Sequence, residues 1–219
     1  MNMNLTELVF ILDRSGSMGG LESDTIGGFN SMLKKQQEEE GECRLTTVLF
    51  DHVYEVLHDR LDIDAVVPIT GKEYFVRGQT ALLDAVGNTI NRISNAQKGA
   101  EEAYRAGKVL FIITTDGMEN ASREFNYAKV KELIEKQKAE FNWEFIFLGA
   151  NMDAVEVAKS FGIDRSRAQS FHNDSEGIEL NYEVVSEAIS DYRQQAPMSA
   201  KIDVNWSVKI DKNFQGRKK

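Results

Sequence analysis

The chain has 219 residues, of which 42% are hydrophobic and 28% are charged, with only two prolines. This is the composition of an ordinary globular protein, and the length allows one large domain, or at most two small ones, with a sizeable buried core. The formal net charge of −9 at pH 7 argues against a nucleic-acid partner, because phosphate binding requires clustered Lys and Arg, and it is compatible with a cation ligand.

The cysteine content and the amino-terminal sequence predict the cellular compartment of the protein. Cys43 is the only cysteine, so an intrachain disulfide is impossible and a reducing compartment is expected. The apolar run LVFIL near the amino terminus is too short for a secretory signal or a membrane span, and no basic residue precedes it. These features predict a cytoplasmic protein that does not contact a membrane.

Short apolar runs alternate along the chain with segments that carry apolar residues at helical spacing. The runs are apolar on both faces and rich in β-branched and aromatic residues, which is typical of central parallel strands. They occupy residues 8–12, 45–50, 109–114 and 145–149. The intervening stripes predict helices over residues 20–38, 80–94, 124–139, 152–161 and 177–193.

One junction breaks this alternation, because residues 50–59 pass from strand to strand with almost no spacer. This segment predicts a hairpin that adds one antiparallel edge strand. The whole pattern predicts a doubly wound, Rossmann-like α/β fold in three layers, with a mostly parallel central sheet and helices on both faces. Residues 1–196 are expected to form this domain.

The segment after Pro197 has a different pattern. Apolar residues stand at strictly alternate positions, which is typical of a half-buried strand: Ile202, Val204, Trp206, Val208 and Ile210. Residues 197–212 are therefore predicted to be an edge-strand extension. It would pair within its own subunit or, in a homodimer, with a second chain through residues 201–210. Residues 213–219 are predicted to form a flexible basic tail.

Oxygen-bearing side chains cluster where predicted strands end. Asp13, Ser15 and Ser17 follow the first strand, Asp116 follows the strand over 109–114, and Thr80 opens a helix. In an open α/β sheet, ligands bind outside the carboxyl ends of the strands. If the first and fourth strands are neighbours, two carboxylates and three hydroxyls converge on one point.

The three histidines fall elsewhere in the pattern, so zinc is not expected. A set made only of oxygen donors predicts Mg²⁺ or Mn²⁺. Each piece also has an ordinary explanation, because a strand-end Asp followed by Ser and Gly is commonly only a turn and a helix cap. A Thr before a helical stripe is usually an N-cap, and an Asp-Gly after a strand is usually a turn.

Together, these pieces resemble a known site. The DRSGS stretch from Asp13 to Ser17, the later Thr80 in RGQTAL and the TDG stretch around Asp116 resemble the metal-ion-dependent adhesion site (MIDAS) of von Willebrand factor type A (vWA) domains. The resemblance covers roughly residues 5 to 195. It implies a complete MIDAS, and because the sequence shows neither an export signal nor a disulfide, we expect a vWA protein of the intracellular, bacterial type.

By this resemblance, Ser15 and Ser17 would bind the metal directly, and Thr80 would bind it directly or through water. Asp13 and Asp116 would act largely through water and through hydrogen bonds to the hydroxyls. Because hydroxyl ligands are neutral, the cation would keep one position for an Asp or Glu of a partner protein. Further residues are expected on the loops around the metal, with the two aromatic ones packed rather than displayed: Met18, Tyr74, Phe75, Arg77, Glu119 and Asn120.

The leading hypothesis is a cation-dependent protein-binding module that is not an enzyme. One alternative is a metal-dependent phosphohydrolase with Asp13 as nucleophile. In the haloacid-dehalogenase phosphatases a second carboxylate stands two positions later as general acid or base, but here that position is Ser15. A second alternative is a scaffold domain that binds partners without metal. The identity of the partner is not readable from the sequence.

Overall fold

In a computed structural model that describes residues 1–150 and 152–217, the chain forms six β-strands and six α-helices. The strands are β1 (Asn2–Asp13), β2 (Cys43–Phe50), β3 (Tyr54–Asp62), β4 (Ala106–Thr115), β5 (Glu144–Ala150) and β6 (Ala168–Phe171). The helices are α1 (Glu22–Gln37), α2 (Leu82–Gly99), α3 (Tyr127–Phe141), α4 (Ala154–Ser160), α5 (Ser175–Gln194) and α6 (Val208–Gly216). The five helices predicted from apolar spacing correspond to α1–α5, with shifted ends.

The strands form one sheet in the order β3-β2-β1-β4-β5-β6. All neighbours are parallel except β3, which runs antiparallel to β2 at one edge, so the predicted fold class and the predicted hairpin are confirmed. At the other edge lies β6, which was not predicted from the sequence. Its four residues, AQSF, include two polar side chains and form no apolar run.

The central strand β1 explains why the first apolar run has no polar face. Every residue of β1 from Leu5 to Asp13 is buried, because the sheet is covered by helices on both sides. Side chains of a strand alternate between faces. Phe10 therefore packs in a core layer with α1 and α5, and Ile11 packs in the opposite layer with α2, α3 and α4.

The prediction of an edge strand over residues 197–212 is wrong. Turns lead into helix α6 at Val208, and the side chain of Asp203 accepts a hydrogen bond from the Asn205 N–H, which closes a local turn. The alternate apolar residues share no face, because Ile202 is buried whereas Val204 is 65% exposed. Residues 201–210 therefore provide no strand through which two chains could pair in a homodimer.

The prediction of a flexible tail over residues 213–219 is also wrong for residues 213–217, which are ordered by the fold. Residues 213–216 complete α6, and the Arg217 guanidinium forms an ion pair with Asp174. Residues 218 and 219 lie outside the described part of the chain. Within the described ranges, no helix combines the length and the apolar character needed to cross a membrane.

Candidate metal centre

The candidate site lies at the carboxyl ends of β1 and β4, which are adjacent in the sheet. From β1 the chain continues through α1 to β2 on one side, whereas β4 leads to β5 and β6 on the other. The order of strands therefore reverses between β1 and β4. Open α/β sheets typically bind ligands at such a switch point, and the sequence-based expectation that the two strands are neighbours is confirmed.

The chain turns sharply after β1 and directs its hydroxyls back toward the sheet. One oxygen of Asp13, Oδ1, accepts a hydrogen bond of 2.7 Å from the Ser15 N–H, and a 3-10 turn over Gly16–Met18 follows. The Gly16 N–H donates to the Gly78 carbonyl at 3.3 Å, which joins this turn to the loop before α2. That loop carries Thr80 to the site.

All five sequence-predicted site residues come together, and four of them form a continuous chain of oxygen contacts. The Thr80 hydroxyl donates to Ser15 Oγ at 3.1 Å, and Ser15 Oγ lies 3.1 Å from Ser17 Oγ. The Ser17 hydroxyl donates to Asp116 Oδ1 at 2.5 Å. Asp13 adjoins this chain through the N–H of Ser15.

The carboxylates of the site are poorly solvated. Burial raises the pKa of Asp13 to about 6, although hydrogen bonds from Ser15 and Thr115 oppose the shift. Burial also raises the pKa of Asp116, and hydrogen bonds from Ser17 and Asn173 oppose it. Both carboxyls therefore lack compensating positive charge, which a bound cation would supply.

The donor set fits a hard divalent cation. All the converging side-chain atoms are oxygens, and no group of three or more His, Cys, Asp or Glu residues suited to a metal occurs among the described residues. The hydroxyl contacts of 3.1 Å at Ser15 are close to the spacing of neighbouring oxygens around octahedral Mg²⁺, which is about 3.0 Å for metal–oxygen distances of about 2.1 Å. These residues could hold Mg²⁺ or Mn²⁺ without a large rearrangement.

Three residues besides the five predicted ligands hold Asp13 and Asp116 in place. The Thr115 hydroxyl donates to Asp13 Oδ2 at 2.6 Å, and the Tyr74 hydroxyl donates to the Asp13 carbonyl at 2.6 Å. The Asn173 amide donates to Asp116 Oδ2 at 2.7 Å. Thr115 belongs to the TDG stretch and was recognisable, whereas Asn173 follows the unpredicted strand β6.

The rim residues expected around the metal are mostly structural. Glu119 accepts a hydrogen bond of 2.9 Å from the Leu83 N–H, and Asn120 accepts one of 2.9 Å from the Thr80 N–H, so both tie the loop after β4 to the start of α2. Met18 is 3% exposed and lies in the core beneath the site rather than on the rim.

The two aromatic rim residues differ from each other. Tyr74 is fully buried, as predicted, but Phe75 is 41% exposed, which corrects the expectation that it is packed. The guanidinium groups of Arg14 and Arg77 each lie 5.3 Å from the centre of the Phe75 ring, which holds it by cation–π contacts.

A buried ion-pair cluster fixes the loop that carries Thr80. The Asp51 carboxylate lies 3.3 Å from Arg14 Nε and 2.6 Å from Arg77 Nε. The Asp51 carbonyl accepts a hydrogen bond of 2.8 Å from the Ala81 N–H, directly after Thr80. The tip of β2 therefore positions Thr80 through both the backbone and the side chain of one residue.

Solved structures with this fold support the predicted vWA-like architecture. A von Willebrand factor type A structure from Catenulispora acidiphila is 15% identical, with a TM-score of 0.57, over 87% of this chain and 43% of that one. Proximal thread matrix protein 1 from the mussel byssus, solved with a zinc-occupied MIDAS motif, is 14% identical, with a TM-score of 0.56, over 86% and 46%. A variant of the PilB minor pilin from Streptococcus sanguinis is 11% identical, with a TM-score of 0.59, over 87% and 62%.

At these identities the likeness shows the fold and nothing further. The chain also spans less than two thirds of the length of each of these three proteins. No sequence model of a known protein family matches the chain, and no curated protein matches it significantly.

Proposed function

We propose that this protein is a divalent-cation-dependent protein-binding module with a vWA-type MIDAS. Ser15, Ser17 and Thr80 would hold Mg²⁺ or Mn²⁺ together with Asp13 and Asp116. An Asp or Glu side chain of a partner protein would complete the site. The observation that carries this proposal is the chain of hydroxyl and carboxylate oxygens from Thr80 to Asp116 at the switch point of the sheet.

The residues of the site suit a binding role. When bound, the cation would supply Lewis acidity toward an incoming carboxylate. The hydroxyls of Ser15, Ser17 and Thr80 are neutral, so they would leave more of the cation's charge uncompensated than carboxylates in the same places. Asp13 and Asp116 supply the negative charge that retains the cation, and each is fixed by hydrogen bonds before any ligand arrives.

Comparison with solved structures adds support. Proximal thread matrix protein 1 holds zinc at its MIDAS motif, and its fold is shared by this chain. Hard oxygen donors are the ligands that Mg²⁺ and Mn²⁺ prefer, so we propose these two ions for the set around Ser15.

Phosphohydrolase activity is less well supported by the geometry. An attacking Asp13 would have to present a carboxylate oxygen to the substrate, but Oδ1 is directed at the Ser15 N–H and Oδ2 at the Thr115 hydroxyl. The side chain is almost completely buried. We therefore propose binding rather than catalysis, and we expect no Mg²⁺-dependent turnover of a generic phosphoester that Asp13→Ala would abolish.

Thermal-shift and calorimetric titration with Mg²⁺ and Mn²⁺ test the proposed metal site. A ligand that binds the native state raises the melting temperature by mass action, so the wild-type protein should be stabilised, whereas Ser15→Ala and Asp116→Ala should not. Ser160→Ala is the matched control, because its hydroxyl is exposed and donates only to the Val157 carbonyl. If Mg²⁺ and Mn²⁺ change the melting temperature of the wild type and of both site variants equally, or change none of them, the metal-independent scaffold would be favoured instead.

Partner capture tests the second half of the proposal. A pull-down in Mg²⁺ should retain a protein that is lost in EDTA and that Asp13→Ala fails to retain. A partner retained equally under all three conditions would contradict binding through the metal.

A further inference from the structure

The loop between β6 and α5, residues 172–174, connects the metal centre to the carboxy-terminal helix. Its middle residue, Asn173, donates from Nδ2 to Asp116 Oδ2 at 2.7 Å. Its outer residues, His172 and Asp174, contact α6 instead. One short loop thus joins a helix outside the predicted vWA-like region to a predicted metal-site carboxylate.

The contacts of Asn173 indicate what its side chain does. Its Oδ1 atom is buried and has no hydrogen-bond partner, which is unfavourable for a polar atom. An apolar residue would avoid that cost, so the hydrogen bond to Asp116 is the interaction that accounts for an amide here. The other oxygen of Asp116, Oδ1, accepts from Ser17. The two hydrogen bonds together fix the orientation of the carboxylate.

Helix α6 holds the loop from its outer side. The His172 ring lies 4.8 Å from the Phe214 ring, and its Nε2 atom is 3.1 Å from the Phe214 carbonyl oxygen. Asp174 is bound by Arg217 Nη1 at 3.2 Å while it also caps α5 by accepting from the Gly177 N–H at 2.9 Å. The loop is therefore fixed at both ends of Asn173.

We propose that Asn173 is a positioning residue of the metal centre and that α6 keeps it in place. This inference rests on the proposed metal-binding function. Residues that orient metal ligands from outside the first coordination sphere typically change metal affinity by about 10- to 100-fold when they are replaced. Asn173 acts on the metal through Asp116, and α6 acts through the 172–174 loop.

Mn²⁺ binding, measured by electron paramagnetic resonance on the full chain, tests the role of Asn173. Asn173→Leu keeps the approximate volume but removes the donor, so it should weaken Mn²⁺ binding about tenfold or more. Asn88→Ala is the matched control, because Asn88 also donates its amide to a carboxylate, Glu124, at 3.0 Å. The control should bind Mn²⁺ like the wild type.

Hydrogen–deuterium exchange in EDTA provides a readout that does not depend on metal. Asn173→Leu should speed exchange around Asp116, and Phe214→Ala should speed exchange over residues 172–174. Phe214→Ala should also weaken Mn²⁺ binding. Val208→Ala, at a 42% exposed position of the same helix, is the control. It should leave both the exchange over residues 172–174 and the Mn²⁺ affinity unchanged.

The outcomes separate this inference from the proposed function. If the wild type binds Mn²⁺ and Asn173→Leu binds it equally well, the positioning role is overturned while the metal site stands. If the wild type binds no Mn²⁺, the proposed function fails, and the positioning role fails with it. If Phe214→Ala speeds exchange in the loop without weakening Mn²⁺ binding, the part assigned to α6 is wrong.

Discussion

Replacing Asp13 by Asn should stabilise the metal-free protein at neutral pH, although it removes a carboxylate of the proposed metal site. Burial raises the pKa of Asp13 from its ordinary value of 3.8 to about 6. Between these pH values the native state binds more protons than the unfolded chain, so stability falls as the pH rises through this window. Below pH 3.8 the carboxyl is protonated in both states and the penalty is absent.

The size of the effect follows from the two pKa values. A difference of about two pK units corresponds to about 3 kcal/mol at neutral pH. The new amide oxygen can still accept from the Ser15 N–H, and the Thr115 hydroxyl can donate to the Gly117 carbonyl, 3.1 Å away, instead of to residue 13. The pKa of about 6 already includes the hydrogen bonds that the charged carboxyl accepts from Ser15 and Thr115, so we expect a net stabilisation of about 2–3 kcal/mol.

Urea unfolding in EDTA, at about pH 4 and about pH 7.5, measures this difference. The variant should be more stable than the wild type at the higher pH, and the gap should largely close at the lower one. Mg²⁺ should stabilise the wild type but not the variant. Asp51→Asn is the matched control, because Asp51 is also a buried carboxylate. This substitution should instead lower the free energy of unfolding by about 3 kcal/mol, because it leaves the buried Arg14 guanidinium with less negative charge nearby. A metal-free Asp13→Asn protein that is less stable than the wild type at neutral pH would refute the reasoning.

Two glycine substitutions give further predictions. Gly117→Ala should weaken Mg²⁺ binding about tenfold or more, because the added methyl would lie 2.7 Å from Thr80 Oγ1 and displace that hydroxyl; unchanged affinity by calorimetry would contradict this. Gly28→Ala should lower the free energy of unfolding in urea by about 1–3 kcal/mol, because its methyl would overlap the Tyr182 ring between α1 and α5. Gly27→Ala, where no atom lies within 4 Å of the added methyl, should be neutral or stabilising by up to about 1 kcal/mol, and equal losses at both positions would rule out the overlap as the cause.

The parts of the fold that could be predicted are those that a local pattern determines. β1 is buried on both faces from Leu5 onward, and its residues 8–12 form an uninterrupted apolar run that marks a central strand. Once β1 and β4 are placed side by side, the meeting of Asp13 and Asp116 follows from the rule that parallel strands end at the same edge. This is why the convergence of these side chains could be predicted from the sequence, whereas their role as metal ligands stays a prediction.

The parts that could not be predicted depend on contacts between distant segments. Arg14 would be expected at the surface, but it is fully buried because Asp51 and Glu55 supply its counter-charges. β6 has no apolar run because it is a short edge strand. After Pro197 the apolar residues alternate as they do in a strand, but the chain turns at Asp203, whose side chain accepts a local hydrogen bond. The alternation of apolar residues does not reveal that hydrogen bond.

The five site residues differ in their access to solvent. Asp13, Ser15, Thr80 and Asp116 are each at most 5% exposed, whereas Ser17 is exposed. Because Ser17 is the one exposed residue of the five, we expect a visiting carboxylate to approach over the Ser17 turn. Under the proposed function, a partner with a flat surface would stop short of the cation, whereas an acid carried on a narrow, projecting loop would reach it, so we expect the site to select partners by their shape as well as by their charge.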